Sequence, residues 1–426
     1  MFIKNYTNCN LIDYVSDLNK EKLSNIFNIL ILSFLTLQLS SIPFSIAVSS
    51  IAFGIWGGLW IVQIIFEKSI NYDKFIFYEL RFVNLFVLLY FLFEIISRIF
   101  AVVPDGAFIG LKRLLLFLIF YVTIIKVTSK KDLYRIILIS LFAFSAISTY
   151  EIIKYIFSLN ELLKTTSAAE IRIDYFAYPL TSGEMKLFIL LSLFPVIISA
   201  KKIIVKKIYL IAASFPILIS MLLTQSRNVF LALFVCLLIY GFFNRKFLLA
   251  YIIILILGAA FLPQSYKDRV TSIFDLKHPS NESRVIMWET GLKMFKDHPF
   301  TGVGDNEITE VYKKYKPIEH HGEGSHLHSN YMMILATTGI FGFITYLAFF
   351  FAIFLKQIKY YKILSDPVGK AFILGSILSN IGFQIAGIFE WMFGDHEVMT
   401  VFFFLIALPF VVYGIYQKDN SNIDNF

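Results

Sequence analysis

The sequence predicts an all-α polytopic membrane protein of about twelve transmembrane helices, with one large loop outside the bilayer. Three observations carry this. Of 426 residues, 58% are hydrophobic and only 16% charged, and mean hydropathy is +0.71; a soluble domain is nearer half apolar and a quarter charged. Several windows run 18 residues or more without a charge, enough to cross a hydrocarbon core of about 30 Å. The lysines collect between apolar runs. Together these exclude a soluble enzyme, a disordered chain and a disulfide-knit secreted scaffold.

The apolar runs fall at 24–40, 43–66, 78–98, 107–125, 136–158, 184–200, 208–223, 227–242, 247–263, 328–355, 371–388 and 397–416. Polar connections between them are short, except for residues 264–327, a 64-residue segment between the ninth and tenth runs. Residues 1–426 are therefore one membrane body with one external cap. With an even number of spans both termini share a side. That side carries 20 lysines and arginines, against 7 in the short connections opposite: Arg98, Lys112, Arg113, Lys164, Arg172, Lys186 and Arg227. The positive-inside rule then predicts cytoplasmic termini and an external 264–327 loop, whose length makes its own charges weak topology signals. The net charge of +8 is thus a topological signal, and no nucleic-acid partner is expected. The first 23 residues, polar and mixed in charge, lack the pattern of a cleaved signal peptide. Cys9 and Cys236 are expected to be inert thiols with no disulfide.

Candidate chemistry gathers late in the chain. All seven histidines lie at or after position 278: His278, His298, His320, His321, His326, His328 and His396. Histidine is the side chain best suited to proton transfer near neutral pH, although any one of them is equally well an ordinary loop polar residue. Asn281-Glu282-Ser283 reads as a helix start. Val285, Trp288, Leu292 and Phe295 then form one apolar face, predicting an amphipathic helix on the membrane surface with Arg284 in its first turn. Lys296 to Pro299 end it, and Gly302 to Asn306 read as a structural turn. His320, His321, His326 and His328, with Glu319 and Glu323, are zinc-type donors. They lack a second ligand pair on a regular element, so no metal or other cofactor is expected. Thr224-Gln225-Ser226-Arg227-Asn228 is a polar knot between apolar helices. Such a knot faces a cavity or a lipid headgroup, or its arginine snorkels as an interfacial anchor.

These residues resemble the O-antigen ligase family. His328-Ser329, nine residues, then Gly339-Ile340-Phe341-Gly342 is similar to the family signature of His, a polar residue, nine residues and Gly-x-x-Gly. It departs only at Phe343, where that signature has Thr or Val. The knot from Thr224 to Arg227 is similar too, as are the helix with Ser283, Arg284, Trp288, Glu289 and Gly291, and the Pro299–Gly304 turn. Phe389 to Asp395 resembles a stretch common in the wider ligase and polymerase superfamily. The likeness covers about the last 200 residues; before that it rests on span number alone.

The resemblance implies a GT-C-like membrane fold and a metal-independent, inverting glycosyltransferase of the bacterial inner membrane. Its donor is a glycan on undecaprenyl pyrophosphate. Its acceptor is a sugar hydroxyl at the periplasmic face: lipid A–core for a ligase, another lipid-linked repeat for a polymerase. The chemistry fits particular residues. Arg227 and Arg284 are candidates to bind the pyrophosphate and stabilise its charge, because arginine pairs bidentately with phosphate and stays protonated. His328 is the candidate base or acceptor-orienting group, with His326 a weaker partner. Gly339 and Gly342 are expected to let a neighbouring helix pack closely. A lipid-linked glycan transporter is the reading from another class. It would need mid-membrane polar sites, for which Glu94, Glu151 and Lys154 are the clearest candidates.

Overall fold

The structure, a computed structural model, describes residues 11–67, 78–104, 106–164, 171–199, 205–261, 264–272, 275, 277–317 and 326–423. The described residues are helical and contain no strand. In chain order the helices are α1 (Leu11–Ser41), α2 (Ile46–Glu67) and α3 (Arg81–Ile99), then a 3-10 stretch (Ala107–Leu116) running into α4 (Phe117–Lys126). They continue with α5 (Lys130–Leu162), α6 (Pro179–Ser199), α7 (Lys207–Leu223), α8 (Arg227–Phe243) and α9 (Arg245–Phe261). The loop contributes α10 (Gln264–Thr271), α11 (Pro279–Asp297) and α12 (Ile308–Tyr315). The last three are α13 (Asn330–Ile363), α14 (Pro367–Ala386) and α15 (His396–Ile423).

In its described residues, each of the twelve predicted runs falls largely on helix. Among the described residues, nine segments are long and apolar enough to cross a membrane, which makes the chain a multi-pass membrane protein. The other three, α7, α8 and α9, have 17 residues each, or about 25 Å of rise. The bundle has a clear centre. The apolar window of α15 is 94% buried within the protein, against 22% for α2. Phe383 of α14 stacks on Phe402 of α15 at 4.1 Å, whereas Ile51 and Ile65 of α2 point outward, where lipid is the matching solvent.

Several charged groups inside the bundle are paired, as a low-dielectric interior requires. Lys186 donates to Glu151 at 2.6 Å and to Ser182 and Ser220 at 2.7 Å. Glu94 pairs with Arg98 at 3.2 Å and Arg113 at 3.5 Å, and both arginines also reach Asp305 of the loop. Arg98 and Lys186, counted above as outer connection charges, are therefore buried interior partners. Lys154 sits 4.2 Å from the Tyr175 ring centroid as a cation–π contact. Cys236 is buried, with its thiol directed at the Leu378 carbonyl; Cys9 lies outside the described residues.

The Gly-x-x-Gly segment works differently from the expected helix contact. Gly339 has φ +68° and ψ −170° and breaks α13. Into this break the 299–304 turn inserts its backbone. Ile340 N–H donates to Pro299 O at 2.8 Å, Val303 N–H to Ala336 O at 2.9 Å and Gly304 N–H to Thr337 O at 3.0 Å. A Cβ on Gly339 would lie 2.5 Å from the Phe300 carbonyl oxygen. So glycine is required here by both conformation and space, and its close neighbour is a loop rather than a helix. Gly342 instead faces Thr338 of its own helix.

The loop helix α11 also departs from expectation. It starts at Pro279, with His278 as N-cap accepting from Ser280 N–H at 3.3 Å, a few residues before the predicted Asn281-Glu282-Ser283 start. It buries Met287, Thr290, Gly291 and Met294 and packs on α13. Val285 and Leu292 of the predicted apolar face stay exposed, each at 38%. The helix is therefore held to α13 by a face other than the apolar stripe read from sequence, which was expected to lie on the membrane surface.

Candidate functional site

The polar knot is a buried turn, not a surface anchor. Thr224, Gln225 and Ser226 are inaccessible to solvent. Gln225 takes φ +50°, a left-handed conformation that a non-glycine residue holds only under surrounding constraint. Those constraints run to the segment before α6. Gln225 Nε2 donates to Ile171 O at 3.0 Å, Ile173 N–H to Leu223 O at 3.2 Å and Ser226 Oγ to Pro179 O at 3.1 Å. The turn thus ends α7, starts α8 at Arg227, and fixes the 171–179 strap beside it.

Arg227 and Arg284 meet through one hydroxyl. Arg227 Nη2 donates to Ser280 Oγ at 2.7 Å, and Arg284 Nη1 to the same oxygen at 3.2 Å. A second Arg227 nitrogen, Nη1, reaches Ser272 O and Oγ at 3.1 and 3.2 Å. Both guanidiniums line a cleft of about 520 Å³ together with Arg172, His278, Asn228, Asn281 and the apolar Leu180, Leu231 and Phe389. Among the described residues no carboxylate lines it. Two cations sharing one neutral acceptor repel each other. Arg284 Nε is buried without a hydrogen-bond partner. Burial weakens the hold of Arg284 on its proton, and Glu390 nearby opposes that. Such a cleft suits an anion with several oxygens, and its apolar residues suit a lipid tail.

Phe389 leads directly to the second half of the site. Glu390, in the connection between α14 and α15, is only 6% exposed. His328 Nδ1 lies 3.0 Å from both Glu390 oxygens, and His326 Nε2 lies 3.1 Å from Oε1. The two imidazole centroids are 4.1 Å apart. Burial alone would raise the Glu390 pKa, but the hydrogen bonds from His326 and His328 outweigh it and hold the carboxyl well below the ordinary range. Glu390 is then an acceptor, so His328 carries its proton on Nδ1 and leaves Nε2 as the basic nitrogen. His328 has φ +45°, just before Ser329, whose hydroxyl caps α13 by accepting from Met332 N–H. Asn330 fixes the facing strand of chain, with its N–H donating to Gly387 O and Glu390 O and its Oδ1 accepting from Phe393 N–H at 2.9 Å.

His326, His328 and Glu390 each offer a ligand atom, all within 4.8 Å of one another, a donor set that zinc accepts. The histidine cluster weighed from sequence is different: His320, His321, Glu319 and Glu323 lie outside the described residues. All four predicted site residues fall into these two adjoining groups, with Arg227 and Arg284 in the cleft and His326 and His328 on Glu390. Sequence reasoning missed Glu390 as a site residue, though it lies within the Phe389–Asp395 stretch already singled out. It counted Arg172 only as a connection charge. Residues 212–347 match a family model described as O-antigen ligase; they run from α7 through the knot and the loop into α13. A search of the curated proteins returned no match.

Proposed function

With the chain carrying an O-antigen ligase domain over residues 212–347, we propose that it transfers a glycan from undecaprenyl pyrophosphate to a sugar hydroxyl of lipid A–core, at the periplasmic face of the bacterial inner membrane. The observation that carries this reading is the arginine cleft, lined by no carboxylate among the described residues, adjoining a histidine held by a buried glutamate. Pyrophosphate oxygens occupy the cleft through Arg227 and Arg284. The acceptor oxygen attacks the anomeric carbon on the side away from the leaving pyrophosphate, so the stereocentre inverts. The hydroxyl proton passes to His328 Nε2. Glu390 orients the ring and stabilises the imidazolium that forms, as a buried carboxylate does in a Ser-His-Asp triad. No metal takes part in this reading.

Transfer is favoured over transport because the interior charges Glu94, Glu151 and Lys154 are each engaged by a partner, while the arginine cleft and the histidines cluster around the loop. Ligase is favoured over polymerase by the His-Ser-x₉-Gly-x-x-Gly spacing. Deleting the gene separates the three. A bare lipid A–core with accumulated lipid-linked polymer is expected. A core capped by a single repeat would assign the polymerase reaction instead, and donor trapped on the inner leaflet would assign transport. The orientation has its own check. A reporter that works only in the periplasm is expected to be active when fused near Lys314, and activity there of a reporter that works only in the cytoplasm would reverse the topology.

A further inference from the structure

Arg172 brings a third guanidinium to the cleft, from the connection between α5 and α6, whereas Arg227 comes from α8 and Arg284 from α11. Its placement is built rather than incidental. The neighbouring residues Ile171 and Ile173 are both hydrogen-bonded to the α7–α8 turn, and Arg172 Nη2 itself donates to Gln225 O at 3.4 Å. Among the described residues, His278 is the other titratable group on the wall apart from the arginines, and its Nδ1 is committed to capping α11.

We propose that Arg172 is the leaving-group residue, stabilising the charge that appears on the pyrophosphate as the glycosidic bond breaks. The inference rests on the pyrophosphate reading above. In the intact donor the pyrophosphate is a diester, with one ionised oxygen on each phosphorus. When the anomeric C–O bond breaks, its electron pair stays on the phosphate oxygen. The acceptor oxygen bonds the carbon, and the acceptor proton goes to His328. The product terminal phosphate has a second pKa of about 6, so at neutral pH it carries one more negative charge than it did in the donor. Arg227 and Arg284, joined at Ser280 Oγ, match the two charges of the ground state. Arg172 matches the new one. An interaction that strengthens only as the bond breaks raises kcat and leaves substrate affinity nearly unchanged.

The test uses the full-length protein in detergent with two probes: farnesyl diphosphate, a monoester like the product, and a farnesyl diphosphosugar, a diester like the donor. Arg172→Gln is expected to lower kcat about 10²-fold with KM for the diester within about threefold, and to weaken farnesyl diphosphate binding about tenfold. Arg172→Lys keeps the charge without the planar fork and is expected to recover part of both losses. Equal weakening of both probes, or an unchanged kcat, overturns the assignment of Arg172 while leaving the cleft reading intact. Wild-type protein that binds neither probe overturns the cleft reading itself, and this inference with it. If the glutamine variant aggregates on size exclusion, Arg172→Lys decides alone. A loss of about tenfold in kcat at unchanged KM supports the proposal, and a matching loss in KM, or none in either, sinks it.

Discussion

His328→Ala is expected to lower glycan transfer by about 10²–10⁴-fold, the usual worth of a positioned general base, without loss of membrane insertion. The side chain is 29% exposed, hydrogen-bonded to Glu390 and beside the His326 ring. Its removal therefore strips a proton acceptor rather than a core contact. Glu390→Gln should cost less than His328→Ala. Glutamine keeps an oxygen that accepts from Nδ1–H but loses the charge that stabilises the imidazolium. Because hydrogen bonds from the two histidines hold the Glu390 carboxyl below its ordinary range, the sign of its pH dependence is fixed. Its stabilising contribution is present at and above the ordinary carboxylate pKa, and is lost only as pH falls through the lowered value. The wild-type fold should thus keep this contact through mildly acidic conditions. A control addresses the metal-like donor set of His326, His328 and Glu390. Purified activity should survive EDTA, and loss restored by zinc would turn the trio into a metal centre. Near wild-type transfer by His328→Ala would remove His328 from the reaction.

The helices were legible because membrane helices are written as long uncharged runs, and all twelve runs lie largely on helix in their described residues. The chemistry was legible only where a short segment carries it whole. Thr224–Arg227 and His326–His328 are local clusters, and a polar cluster beside apolar helix stands out. Glu390 was missed for the opposite reason. Its partners lie more than 60 residues away in sequence, across α13 and α14, and no local period marks which loop carboxylate will fold onto a histidine. Arg172 was lost among topology charges, because its meaning depends on the Gln225 turn that places it. The helix break at Gly339 was also hidden. An isolated glycine in an apolar run reads as helix packing until the 299–304 turn is seen to occupy it.

Arg284→Ala and Arg227→Ala are each expected to lower transfer by about 10²–10³-fold, the scale of removing one preorganised charge from a transition-state site. The structure adds a second, opposite expectation for the protein without substrate. Arg227 and Arg284 converge on Ser280 Oγ with no carboxylate lining the cleft among the described residues. Like charges held together destabilise the empty site. Deleting Arg284 should therefore leave the melting temperature of the unliganded protein unchanged or slightly higher, even as activity collapses. For wild type, a pyrophosphate ligand should raise that temperature, since a species that binds only the folded state stabilises it by mass action. The alanine variants should lose most of that rise. Lysine at either position is expected to be intermediate, because an ammonium supplies charge without the bidentate fork. The double variant should be little worse than the poorer single one, since groups that clamp one ligand act as a unit. A fall in the unliganded melting temperature that tracks the loss of activity across these variants would make the arginines structural. If the ligand-induced rise survived both single substitutions, the pyrophosphate would have to be held elsewhere.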